Sequence, residues 1–263
     1  MVRSERGNRF DGKVVIVTGA AHGIGQGVAT AFAQEGARVY GVDIDGVALG
    51  TMEQTLLATG ARFTGITADV AEPTDITRAT ERIQSEAGRI DVLVNNSGIN
   101  MGKRIAELEL SDWERVFNTN LRSAYLMCKA AWSALQAVGS GNIVNMGSVM
   151  GQVGGIGAPG YCSTKAALIM LSRCLAKDGA SYGIRVNCVC PGYIDTPIMD
   201  RVLDSMPDPA KARAELVDRM PLRRLGSPRD IAAGVLFLAS QEAAYISGIE
   251  LTIDGAVTAT QID

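Results

Sequence analysis

The chain has 263 residues, 47% hydrophobic and 20% charged, a composition that folds into a globular core and excludes a disordered chain. Lysine plus arginine number 25 against 28 acidic residues, and this net charge of −3 is scattered, so nothing calls for a nucleic-acid partner. No apolar run approaches the roughly 20 residues that span a bilayer, and MVRSERGNRFDGK lacks the apolar core of a secretory leader. The expectation is a cytoplasmic protein with no membrane partner. A single histidine, His22, and five cysteines without C-x-x-C spacing offer no metal-ligand constellation, so no metal is expected and the thiols are read as reduced.

Strand-like and helix-like segments alternate along the whole chain. VVIVT at Val14–Thr18 is a β-branched run suited to a strand buried on both faces. Helical spacing follows from Gly23 to Glu35 and stops at Gly36. Next come a strand at Arg38–Val42, a helix at Thr51–Ala58, a strand at Arg62–Thr67 and a helix opened by Pro73 that runs to Gly88. Val92–Asn95 is a strand. Ser111-Asp-Trp-Glu114 matches a capping box, which predicts a long helix from there towards Val138. Asn142–Met146 is a strand, Ser163–Tyr182 a helix, Arg185–Cys190 a strand, the stretch after Ser227-Pro228 a helix to Ala239, and Ile249–Ile253 the last strand. Seven strands alternating with helices over short connections predict an α/β fold: one Rossmann-type domain, residues 1–263, with a doubly wound parallel sheet and helices on both faces. The longest irregular stretch, 196–226, carries four prolines and reads as a substrate lid.

The first strand runs directly into Thr18-Gly19-Ala20-Ala21-His22-Gly23-Ile24-Gly25. A glycine-rich turn between a strand and its helix lets backbone N–H groups approach a pyrophosphate, and the helix N-terminus adds its positive dipole end. Gly19, His22, Gly23 and Ile24 are therefore candidate contacts to a dinucleotide. Asp43, 18 residues after Gly25 at the end of the second strand, stands where a carboxylate accepts from the adenosine ribose hydroxyls. It would repel a 2′-phosphate, and no Arg or Lys lies in the glycine turn or directly after it, so the cofactor is read as NAD rather than NADP. Asp69 and Val70 end the third strand, and Asn96, Ser97 and Gly98 follow the fourth. Strand C-termini along one edge converge on one crevice, so these positions are expected to face the same dinucleotide.

Ser148, the run Tyr161-Cys-Ser-Thr-Lys165 and Asn120, with TGAAHGIG and NNSG upstream, together resemble the short-chain dehydrogenase/reductase family. The resemblance extends from Gly12 to about Gly255 and rests on the ordered set, since Y-x-x-x-K alone is common by chance. Tyr161 and Lys165, four apart on a helix, share a face. A tyrosine is ordinarily a poor base at pH 7, with a pKa of about 10. A neighbouring ammonium would favour its phenolate and let it exchange a proton with a substrate alcohol. Ser148 would hydrogen-bond the substrate oxygen. The resemblance implies further that Lys165 binds the nicotinamide ribose and that Asn120 kinks its helix and holds a water in a relay with Lys165. It also implies that Pro191, Gly192, Ile194 and Thr196 border the nicotinamide, and that the chain is a homotetramer. The chain departs from the family pattern with Ser97 in place of alanine, Gly147 in place of a second serine, and Asp254-Gly255-Ala256 in place of a Gly-Gly pair.

The substrate side, with Val149, Met150, Val153, Ile156, Tyr193 and lid residues Ile198, Met199 and Val202, is small or apolar and uncharged. It suits a neutral secondary alcohol or ketone, such as a polyol, a sugar or a cyclic alcohol. Lys103 and Arg104 are expected to be solvated loop charges. The alternative enzyme is a reductase of 3-oxoacyl thioesters, a group that typically prefers NADPH. The alternative from another class is a dinucleotide-binding protein without catalysis, against which the intact Ser148, Tyr161 and Lys165 argue.

Overall fold

The computed structural model describes residues 8–204 and 206–259. In chain order the elements are β1 (Val14–Thr18), α1 (Gly23–Gln34), β2 (Arg38–Asp43), α2 (Gly46–Leu57), β3 (Arg62–Thr67), α3 (Pro73–Ala87), β4 (Val92–Asn95) and α4 (Leu110–Phe117). They continue with α5 (Ser123–Ala137), β5 (Asn142–Met146), α6 (Pro159–Gly179), β6 (Arg185–Pro191), α7 (Pro197–Asp204), α8 (Pro209–Arg219), α9 (Pro228–Ala239) and β7 (Glu250–Ile253). All pairings are parallel, in the order β3-β2-β1-β4-β5-β6-β7. Successive side chains of a strand alternate between faces. Val15 and Val17 of β1 accordingly pack with Val28 and Phe32 of α1 and Ile231 and Val235 of α9. Val14 and Ile16 pack on the opposite face with Ile76 and Ile83 of α3 and Met127 and Leu135 of α5. The order reverses between β1 and β4, which opens a crevice at the C-terminal edge, where a doubly wound sheet binds its ligand.

Three helix starts differ from the sequence reading by more than one residue. Helix α2 starts at Gly46 rather than Thr51, because the Asp45 carboxylate accepts from Ala48 N and caps the first turn. Helix α6 starts at Pro159 rather than Ser163, since proline at the first helical position needs no N–H partner. The Ser111 capping box does not form: α4 already begins at Leu110, and Glu109 is its cap residue without a side-chain bond. A true capping box closes α9, with Ser227 and Asp230 bonded reciprocally. The expected long helix is broken by a π-helical turn at Asn118–Arg122. The 196–226 stretch folds into α7 and α8, and Ile194 bridges to Gly226 at its base.

The Asp254-Gly255-Ala256 departure lies just past β7. Ala256 has φ +71, a left-handed conformation, and its N–H is held by the Asp254 carboxylate at 2.9 Å. A Cβ in that region costs roughly 1–2 kcal/mol, partly offset by the greater backbone freedom that glycine loses on folding. Ala256→Gly is expected to raise stability by up to about 1 kcal/mol, measured by urea denaturation.

Candidate active site

The turn after β1 is held by a small set of mutual contacts. Gly19 has φ +64, and its N–H donates to Val42 O at 2.8 Å. The Asn96 amide donates to Thr18 O at 3.0 Å and Gly19 O at 3.1 Å, while the Thr18 hydroxyl accepts from Asn96 N and Ser97 N. A Cβ on Gly25 would sit 1.9 Å from Gly19 O and 2.5 Å from the Asn96 amide nitrogen, so only glycine lets α1 start this close to the turn. The side chain of Asn96, read from sequence as facing the dinucleotide, is thus engaged in bracing the turn that would hold it.

The N-terminus of α1 suits a phosphate. His22, its cap residue, makes no side-chain capping bond, and no acidic residue stands in the first turn. The leading N–H groups of a helix have no intrahelical partner, so they face the crevice as donors. Asp43 ends β2 with its carboxylate fixed by two backbone donors, Ala21 N and Asp45 N, each at 3.0 Å. A carboxylate has about four acceptor positions, so acceptor capacity remains for a diol. His22 pairs with Asp45 at 2.9 Å. The N–H of Ala48, and then His22, hold the Asp45 carboxyl below the usual range. Asp69 and Val70 lie in the loop past β3, beside Asp43, whose carbonyl accepts from Ala68 N. The Asp69 carboxylate itself accepts from Ala71 N at 2.8 Å. These residues form a cradle and a donor set that fit a dinucleotide.

The chemical groups meet at the ends of β5 and α6. Ser148 is the cap of a single 3₁₀ turn, Val149–Gly151, accepting from Met150 N at 3.1 Å. Against the upward push of burial, its side chain pulls the pKa of the Tyr161 phenol down. Lys165 is buried; its Nζ lies 5.5 Å from the centre of the Tyr161 ring and donates to Met146 O at 2.7 Å. Gly98 lies beside it: a Cβ there would be in ordinary contact with Lys165 Nζ at 3.4 Å and Asn120 Oδ1 at 3.5 Å. Asn120 sits in the π-helical turn between α4 and α5. Its amide accepts from Ile99 N at 2.8 Å and donates to Ile99 O at 2.9 Å and Thr164 Oγ1 at 3.1 Å. The Asn120 side chain therefore positions the segment after β4 and the start of α6.

The expected lowering of the Tyr161 pKa is not what the protein alone produces. Burial pushes the phenol up, with the Ser148 side chain pulling against it. Burial also holds Lys165 down, to about 8, against the pull of Cys188 and Cys190. Both shifts follow from desolvation of the charged form.

The remaining border residues are placed by β6 and β7. A Cβ on Gly192 would meet Asp254 at 2.7 Å, Pro191 pairs with Ile253, and Ile194 is buried. The Thr196 hydroxyl donates to Ile194 O at 3.3 Å, and the Thr196 methyl lies 3.2 Å from where a Gly23 Cβ would be. A recess of only about 10 Å³ beside Tyr161 is lined by Asn100–Lys103, Leu108 and Gly157–Gly160. Val153 and Ile156 are exposed, and Met150 lies against Gly155. Lys103 is paired with Asp112 at 2.6 Å rather than solvated alone. The larger groove, about 480 Å³ between α1 and α2, is away from Tyr161. Among the described residues no His, Cys, Asp and Glu cluster groups as metal ligands, and no helix is long and apolar enough to cross a membrane.

A dinucleotide cradle on one side of the sheet edge and the Ser148, Tyr161 and Lys165 set on the other define a nicotinamide-dependent oxidoreductase. The family model described as enoyl-(acyl carrier protein) reductase matches residues 19–258. The 3-oxoacyl-[acyl-carrier-protein] reductase FabG of Escherichia coli is 37% identical over 248 residues, covering 94% of this chain and 98% of the relative. Dehydrogenase/reductase SDR family member 6 of Rattus norvegicus is 39% identical with the same coverage. Levodione reductase superposes with a TM-score of 0.92 at 31% identity, over 96% of this chain and 100% of that one. A short-chain dehydrogenase/reductase structure from Burkholderia xenovorans gives 0.92 at 33% identity, over 97% and 99%. The chain belongs to the short-chain dehydrogenase/reductase family.

Two outcomes follow. Tyr161→Phe keeps the ring but removes the exchangeable proton. Turnover is expected to fall by about 10²–10⁴-fold, the usual contribution of a general acid–base group, with dinucleotide binding by fluorescence nearly unchanged. Lys165 titrates near 8 when folded against 10.5 ordinarily. Between those values the unfolded chain binds the extra proton, so Lys165 makes stability rise with pH. Urea denaturation from pH 8 to 10 should show wild type gaining stability relative to Lys165→Met.

Proposed function

We propose that the protein transfers hydride between NAD(H) and the 3-position of an oxoacyl or hydroxyacyl thioester. The substrate class is the alternative of the sequence reading, not its first choice. The observation that carries it is the alignment, over nearly the full length of both chains, with 3-oxoacyl-[acyl-carrier-protein] reductases. A neutral cyclic ketone is the second reading, favoured by the 0.92 superposition on levodione reductase and by the pairing of Lys103 with Asp112, which removes a free cation from the site mouth.

Bound nicotinamide supplies or accepts the hydride. Tyr161 gives its phenolic proton to the substrate oxygen as it becomes an alkoxide, and takes it back in the reverse direction. Ser148, fixed by Met150 N, donates to the same oxygen and orients it. Lys165 places a charge behind the phenol, in a site where desolvation strengthens its field. A panel of acetoacetyl thioester, cyclic diketone and polyol, followed by nicotinamide absorbance, tests the substrate class. Turnover of the polyol alone would reject both readings.

The preference for NAD over NADP rests on Asp43. Its carboxylate is aimed at the glycine turn by Ala21 N and Asp45 N, and the turn's one ionisable base, His22, is already paired with Asp45. Among the described residues, a 2′-phosphate bound there meets a carboxylate with no free cation beside it. A hydrogen bond to a charged group is worth roughly 1.5–3 kcal/mol, and phosphate repulsion adds to it. The expected preference for NAD is at least about a hundredfold in kcat/KM. Asp43→Ser with Ile44→Arg should narrow or reverse it, since residue 44 is exposed and can offer a guanidinium. Equal use of both cofactors by the natural sequence would refute this role for Asp43.

A further inference from the structure

The turn that cradles the dinucleotide is bordered from above by a segment of the 194–226 excursion. The Thr196 methyl and Pro197 lie 3.2 Å and 3.8 Å from where a Gly23 Cβ would stand, so this segment rests against the glycine turn. Its base is anchored to the sheet side by Asp195 N to Gly226 O at 2.8 Å and Gly226 N to Tyr193 O at 2.9 Å. Its far side leads into the first turn of α7, where Asp200 N donates to Thr196 O at 2.9 Å.

A single side chain from α8 spans both ends of this segment. The Arg213 guanidinium donates through Nη1 to Asp195 at 2.8 Å and through Nη2 to Asp200 at 2.5 Å. Asp195 and Asp200 flank Thr196 and Pro197, so one planar fork fixes the two sides of the stretch that lies on the glycine turn. Both carboxylates raise the Arg213 pKa, Asp195 most. Lysine, a point donor on a flexible stem, cannot reproduce this bridging geometry.

We propose that Arg213 is a positioning residue that clamps residues 195–200 over the dinucleotide cradle and so governs how fast the dinucleotide exchanges. It touches neither the reacting atoms nor the cradle and acts through Asp195 and Asp200. The inference rests on the cradle binding a nicotinamide dinucleotide and is independent of the substrate. The three groups are each more than a third exposed, and exposed ion pairs are individually weak and screened by salt. The effect is therefore modest and depends on ionic strength.

The test is stopped-flow displacement of bound NADH, with NADPH in parallel, read by nicotinamide fluorescence in wild type, Arg213→Ala, Arg213→Lys and Asp200→Asn. At about 20 mM salt, Arg213→Ala is expected to release the dinucleotide about three- to tenfold faster, with Arg213→Lys and Asp200→Asn in between. At about 0.5 M salt the differences should largely vanish. KM for the dinucleotide should rise more than kcat changes. Dissociation unaltered in all three variants at low salt would overturn the clamp, as would an acceleration that salt does not diminish. Failure of the unaltered protein to bind either dinucleotide would instead overturn the cradle, and the clamp with it.

Discussion

The site depends on how β1 and β4 are tied together at the point where the strand order reverses. Neighbouring strands running in opposite topological directions leave a crevice, and a crevice must be prevented from closing or splaying. Here Thr18 and Asn96 exchange bonds across it: hydroxyl to two backbone N–H groups, amide to two backbone carbonyls. The contact of Gly25 with Gly19 O then fixes where α1 begins. From this knot the chain continues through Gly98 to Lys165 on one side and through Val42 to Asp43 on the other. The two halves of the site share one mechanical origin.

Electrostatically the two halves are opposites. The cradle is built from backbone donors and two carboxylates, Asp43 and Asp45, of which Asp45 holds the imidazole of His22. In the chemical half Ser148 and Lys165 are buried. Burial raises the proton affinity of Tyr161 and lowers that of Lys165, so desolvation works against the charged form of both groups. A phenol held protonated is prepared to donate, and any positive charge brought close to its oxygen shifts that balance towards the phenolate.

Much of this architecture is legible in the sequence because the signals are local. Val14–Thr18 reads as a doubly buried strand, and Tyr161 and Lys165 share a helix face by spacing alone. What escapes is set by contacts distant in the chain. Ser111 satisfies a capping pattern, yet Leu110 already lies in the helix, so the cap has no end to close. The π-helical turn at Asn120 is fixed by bonds to Ile99 and Thr164. Least visible is a buried polar chain through the sheet: the Asn95 amide donates to Asn145 Oδ1 at 2.8 Å and approaches Cys128 Sγ at 3.3 Å, and the Asn145 amide donates to Ser172 at 2.8 Å. Asparagine in VLVN and NIVN reads as a strand end. Only the β4–β5 register, with Asn95 opposite Asn145, shows that the Asn145 side-chain oxygen accepts from the Asn95 amide.

The glycine at position 147 constrains how this chain can vary. A Cβ there would lie 2.8 Å from Cys188 Sγ and 2.9 Å from Cys190 Sγ, both fully buried on β6 directly behind Ser148. The volume that a side chain at position 147, just past β5, would fill is already occupied by two sulfurs from the neighbouring strand. Position 147 can take a serine only if the two β6 thiols shift or shrink, and shortening them alone leaves a void behind Ser148. The three positions form one unit of variation. Grafting this site onto a relative, or a relative's β5 onto this chain, must move all three at once.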